Sequence, residues 1–127
     1  MKKDRRFKKI GETFINRPGT HDRMNNLQEK VKKFCKENGL ESPPEHRMLD
    51  LMSELGEVSK EILKASDYGR KAYKPRPEFK EEIGDAFYSL ITLANSLGVD
   101  LEEALDIVLE KYKRRLKKGS AGSERDN

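Results

Sequence analysis

Apolar residues recur through the middle of the chain at spacings of three and four, the period of a helix that turns one face from water. Between Asn25 and Asn38 the repeat is Leu27, Val31, Phe34 and Cys35, and Gly39 follows as a stop. Pro43-Pro44 ends the next loop. A second stripe, Met48, Leu51, Met52, Leu55, Val58 and Ile62, predicts a buried face on a helix from Glu45 or His46 to about Ala65. Residues 66–77 contain Gly69, Pro75 and Pro77 with few apolar positions, which reads as a loop. A third helix over 78–97 carries Phe79, Ile83, Ala86, Phe87, Leu90, Leu93, Ala94 and Leu97, and Gly98 closes it. Asp100 with Glu103 makes a capping-box-like start for a fourth helix, striped by Leu101, Ala104, Leu105, Val108, Tyr112 and Leu116. No alternating strand pattern competes with these helices. The predicted class is all-α, an antiparallel bundle of about four helices. Its stripes are broad enough to leave apolar surface for a second copy, so oligomerisation through helix faces is expected.

Length and charge refine this picture. A chain of 127 residues accommodates one domain with a modest core. With 39% charged and 34% hydrophobic residues, much of the surface must be charged helix face. The net charge of +4 is concentrated at the start: residues 1–23 hold eight Lys/Arg against three Asp/Glu, a surplus of five, which leaves the remainder at −1. The chain divides into a basic arm (1–23), a helical domain (24–118) and a short polar tail (119–127) expected to be disordered. A solvated arm is favoured over a nucleic-acid-binding one. A single cysteine, Cys35, excludes an intramolecular disulfide framework and multi-cysteine zinc sites and suits a reducing compartment, so the cytoplasm is expected. No apolar run long enough for a signal sequence or a membrane span occurs.

The chemistry-bearing pattern is carboxylate. Glu54, Glu57 and Glu61 fall within about 60° of one another on the second helix, at the border of its apolar stripe. Glu78, Glu82 and Asp85 do the same on the third, with Ser89 a turn later. Residues three apart stand side by side on a helix. If the two helices pack antiparallel, Glu54/Glu57 can face Glu82/Asp85, and four converging carboxylates repel unless a hard divalent cation joins them.

Glu54-Leu-Gly-Glu57, then 24 residues, then Glu82-Ile-Gly-Asp85 resembles the Glu-x-x-Glu and Glu-x-x-Asp signature of the MazG-like all-α nucleoside triphosphate pyrophosphohydrolases. The likeness extends over Pro44-Glu-His-Arg-Met-Leu, Glu81-Glu-Ile-Gly-Asp-Ala-Phe-Tyr-Ser-Leu and Ala94-Asn-Ser-Leu-Gly-Val-Asp-Leu-Glu-Glu-Ala-Leu, and covers roughly residues 27–116. Many relatives carry a further Glu where this chain has Ser53. The resemblance implies hydrolysis of an NTP or dNTP to the monophosphate and pyrophosphate. It implies Glu54, Glu57, Glu82 and Asp85 as ligands of Mg²⁺, with Mn²⁺ as a substitute. A glutamate not fully engaged by metal, Glu57 or Glu61, would orient the attacking water. It also implies Lys111 and Arg115 as triphosphate contacts, and a homodimer or homotetramer whose sites are completed at a subunit contact.

Among the aromatics, Tyr88 falls away from the apolar stripe and is the candidate to meet a base or a neighbouring subunit, with Asn95 near it to read a base edge. The basic loop from Arg70 to Arg76 reads equally as a second phosphate-facing set or as a flexible linker. His21 and His46 are too few and too separated for zinc or for a di-iron site. Two rivals remain: a non-catalytic helical module with a nucleic-acid-binding arm, and a phosphoribosyl-ATP pyrophosphohydrolase-like enzyme.

Overall fold

The computed structural model describes residues 20–119, with side chains from Asn26 onward; most of the basic arm and all but the first residue of the polar tail lie outside the described residues. Four helices account for the architecture: α1 (Thr20–Glu37), α2 (Pro44–Ala65), α3 (Phe79–Ser96) and α4 (Leu101–Lys117). No strand occurs among the described residues. The fold is all-α, as the periodicity predicts.

The helix ends follow local chemistry. Gly39 (φ +64) and Gly98 (φ +65) take the left-handed conformation that costs a side-chain-bearing residue most. Each lets the next amide reach back into the helix, Leu40 N–H to Cys35 O and Val99 N–H to Ala94 O, both at 2.9 Å. Pro44 opens α2 at a position whose amide has no helical partner to lose. Asp100 caps α4 by accepting from the amides of Glu102 and Glu103 at 2.9 and 3.1 Å. α1 begins at Thr20, five residues ahead of the start that the stripe indicates.

α2 and α3 form the most extensive helix pair, α1 packs on α3, and α4 makes its principal contact with α1. Gln28 ties these elements together. Its Nε2 donates to Asn95 Oδ1 (3.0 Å) and Val99 O (2.8 Å), its Oε1 accepts from Leu101 N–H (2.9 Å), and Asn95 Nδ2 donates to Gln28 O (3.0 Å).

Burial departs from the sequence expectation. Met48, Met52, Leu55 and Ile62, predicted to be buried, are 43–57% exposed. The residues of α2 that are buried are Arg47, Leu51, Glu61 and Ala65. On α3 the covered positions are Ala86, Ser89, Ile91, Thr92 and Ala94, while Ile83, Phe87, Leu90 and Leu97 face outward. Leu105, Tyr112 and Leu116 of α4 are likewise exposed. The reason is geometric. Periodicity marks the face that avoids water but not the neighbour that covers it. Within one chain, α2 meets α3 along the adjacent row, where small and polar side chains lie.

Candidate metal centre

Two rows of side chains define the seam between α2 and α3. On α2, Arg47, Leu51, Glu54, Val58, Glu61 and Ala65 follow one another at spacings of three and four; on α3, Asp85, Ser89, Thr92 and Ser96 do the same. Because the helices are antiparallel, the middle of α2 faces the first turns of α3. There the structure brings Glu54, Glu82 and Asp85 together, with one carboxylate oxygen from each lying within 4.8 Å of the others. Glu54 and Glu82 are half-buried and Asp85 is exposed.

Glu57 stands outside this trio. Its Oε1 pairs with Lys60 Nζ at 3.2 Å, and the side chain is about half exposed. It remains close enough to act on Glu82: partial burial, then the charges of Glu57, Asp85, Glu54 and Glu61, push the Glu82 carboxyl above its ordinary value. A cluster that repels itself in this way, built only from carboxylate oxygens and open on one side, fits a hard divalent cation such as Mg²⁺ or Mn²⁺. Soft or imidazole-preferring metals find no ligand in it. Glu61 is buried, and its nearest cation is Arg76, whose Nε lies 3.1 Å from Glu61 Oε1.

The other residues singled out from sequence lie elsewhere. Lys111 and Arg115 flank Tyr112 on α4, with Lys111 Nζ 5.4 Å and Arg115 Cζ 6.0 Å from the ring centre. Their helix makes its principal contact with α1. Tyr88 turns toward α1: its hydroxyl hydrogen-bonds Cys35 Sγ at 3.3 Å, and its ring meets Phe34 edge-on at 6.4 Å. Partial burial and that hydrogen bond raise its pKa, which keeps the phenol neutral. Asn95 is engaged by Gln28 through both amide atoms, which leaves one N–H and one lone pair.

Periodicity could not anticipate a cavity of about 360 Å³ at the opposite end of the seam, where Cys35, Pro43, Pro44, Arg47, Thr92 and Asn95 contribute to its wall. Arg47 is buried there. Its Nη2 donates to Leu40 O, and Nη1 lies 4.0 Å from Asp50 Oδ2. Thr92 stands seven residues along α3 from Asp85, and Arg47 seven along α2 from Glu54, a separation of roughly 10 Å at 1.5 Å per residue. The one available signal was the polar row itself, since Arg47 and Thr92 continue the rows that hold Glu54 and Asp85.

Comparison with known proteins identifies the fold and the family. YpjD of Bacillus subtilis (strain 168), an uncharacterised protein, is 44% identical over 71 residues, which make up 54% of this chain and 62% of YpjD. The chain thus spans less than two thirds of that relative. The crystal structure of YpjD superposes with a TM-score of 0.60 at 35% identity, covering 70% of this chain and 93% of YpjD. A Bacillus-conserved MazG protein, described as a nucleotide pyrophosphohydrolase, superposes with the same TM-score at 31% identity, covering 70% of this chain and 87% of that one. Residues 42–120, which hold all of α2, α3 and α4, match the model of the MazG nucleotide pyrophosphohydrolase domain. The chain belongs to the MazG nucleotide pyrophosphohydrolase family.

Proposed function

We propose that the chain hydrolyses nucleoside triphosphates to monophosphate and pyrophosphate with Mg²⁺ held by Glu54, Glu82 and Asp85, joined by Glu57. The observation that carries this reading is the convergence of three carboxylates from two helices within 4.8 Å. A divalent ion bound there supplies charge neutralisation for the phosphates and a lowered pKa for the attacking water. The chain's own residues do the rest. Each glutamate has a cation beside it, and Glu57 is the more suitable group to orient that water and accept its proton because its side chain is about half exposed whereas Glu61 is buried. The water oxygen bonds to the α-phosphorus as the bridge from that phosphorus to the β-phosphate breaks, and pyrophosphate leaves.

The cavity beside Arg47 and Thr92 suits the nucleoside end of the substrate. It lies on the same seam, about 10 Å from the carboxylates, and Asn95 on its wall retains hydrogen-bonding capacity for a base edge. Tyr88 acts there by supporting the wall through Cys35. Lys111 and Arg115 reach the phosphates from α4 of a second copy. The outward apolar rows of α2 and α3 favour that assembly as a homodimer or homotetramer. No described helix is long and apolar enough to cross a membrane, and the lone thiol favours a reducing cytoplasm.

The test is incubation with a panel of ordinary and modified NTPs and dNTPs, with Mg²⁺ or Mn²⁺, resolving pyrophosphate from phosphate. Phosphoribosyl-ATP belongs in the panel as the competing substrate. Release of pyrophosphate from a nucleoside triphosphate is expected. Silence across the panel would overturn the reading.

A further inference from the structure

The loop between α2 and α3 returns one side chain to the carboxylate end of the seam. Lys71 N–H donates to Ser66 O (2.9 Å) and Lys74 N–H to Ala65 O (2.8 Å), so the loop is anchored to the end of α2 just before it presents Arg76. Arg76 Nε then lies 3.1 Å from Glu61 Oε1 and 3.6 Å from Glu78 Oε2. The Glu61 side chain is only 6% exposed, and its Oε1 accepts no hydrogen bond among the described residues. Burying a carboxylate this deeply is costly unless a cation stands beside it. Arg76 is that cation, yet it is 38% exposed and not enclosed by the pair.

Both ion pairs run through Nε, the inner nitrogen. The fork of terminal nitrogens, the part of arginine that grips a phosphate with two parallel hydrogen bonds, is left for another partner. A polyphosphate arriving here meets Glu54, Glu57, Glu61, Glu82 and Asp85 and needs cations besides metal. Lys60 is tied to Glu57, and Lys111 and Arg115 sit on a helix that rests on α1. We infer that Arg76 is the cation this chain supplies in cis to the polyphosphate of its substrate, and that Glu61 is a positioning residue that aims it. This rests on the pyrophosphohydrolase reading above.

The test is calorimetric binding of inorganic pyrophosphate in Mg²⁺ to the full-length protein and to Arg76→Gln, Arg76→Lys and Glu61→Gln, with Mn²⁺ affinity measured separately. Arg76→Gln should weaken pyrophosphate binding at least tenfold while Mn²⁺ affinity is kept or increased, because a nearby positive charge is gone. It should also raise KM more than it lowers kcat. Arg76→Lys keeps the charge without the fork and should lose part of the affinity, and Glu61→Gln should fall between the two. A pyrophosphate affinity within twofold of wild type in Arg76→Gln overturns the inference, even with a lower Tm, because Arg76 is then only a counter-ion for Glu61. If Arg76→Gln does not fold, Arg76→Lys decides: weaker pyrophosphate binding at unchanged Tm supports the inference, and unchanged binding overturns it. Wild-type turnover alongside unaffected variants removes this inference alone. A wild type that cleaves no nucleotide removes the reading beneath it.

Discussion

The two ends of the α2–α3 seam bury polar groups to opposite effect. At the Arg47 end, the buried guanidinium donates to the Leu40 carbonyl, Thr92 Oγ1 donates to Ser89 O at 2.9 Å, and Gln28 uses both ends of its amide to join α1, α3 and the start of α4. None of these three residues leaves a buried side-chain atom unpartnered. At the Glu54 end, carboxylate meets carboxylate, Glu82 is pushed up by burial and then by four like charges, and the buried Glu61 Oε1 has the Arg76 ion pair but no hydrogen bond among the described residues. Satisfied polar burial specifies how helices dock. Like charges gathered at one end of the seam destabilise it and favour a bound cation, which makes that end the candidate for a site.

The largest effect that would break this contrast is on turnover. Glu82→Gln or Asp85→Asn removes a charge from the self-repelling end and should cost several kcal/mol of transition-state stabilisation, roughly 10²- to 10³-fold in kcat. The metal-free Tm should stay level or rise. The same substitutions should abolish the stabilisation that Mg²⁺ gives the native protein, about 2.7 kcal/mol at a hundred times its Kd. Differential scanning with and without Mg²⁺, beside a pyrophosphate-release assay, reads both quantities. Retained Mg²⁺ stabilisation in both variants would place the metal elsewhere.

At the satisfied end the expectation reverses. Gln28→Ala strands Asn95 Oδ1, the Val99 carbonyl and the Leu101 N–H and should cost about 1–3 kcal/mol, read as a lower urea midpoint, while Mg²⁺ stabilisation persists. The smallest effect is on the pH dependence of the metal-free protein. Glu82 is raised in the native state, so the native chain holds its proton more tightly than the unfolded one. The associated stability is full below the unfolded glutamate pKa of about 4.3. It is lost as pH rises through the higher native value. Thermal melts across that window should show a falling Tm in wild type and a flatter profile in Glu82→Gln.

Much of this was legible in the sequence because helices and their ends depend on local chemistry. Gly39, Gly98 and Asp100 act where their residue types indicate, and i,i+3 spacing sufficed to place Glu82 beside Asp85 and to point Glu54 toward them. What stayed hidden depends on the choice of neighbour. Arg47 and Glu61 are charged yet buried, and Met52 and Leu55 are apolar yet exposed, because the hydrophobic period does not say which row α3 will cover. The pairing of Glu61 with Arg76 is set by how the intervening loop folds back, which no helical period encodes. The cavity beside Arg47 likewise exists only once α1, the loop after it and α3 are assembled.

The apolar interior of the described chain has a further consequence. Its buried apolar residues are Cys35, Leu51, Ala65, Ala86, Ile91 and Ala94, of which only Ile91 is both large and fully enclosed. Heat capacity on unfolding follows the apolar area that becomes hydrated, so a lone chain would melt with a small ΔCp and a broad, weakly cooperative transition. The hydrocarbon that could sharpen that transition lies on the outer rows of α2, α3 and α4, and covering those rows would make association and the final consolidation of the fold a single thermodynamic event.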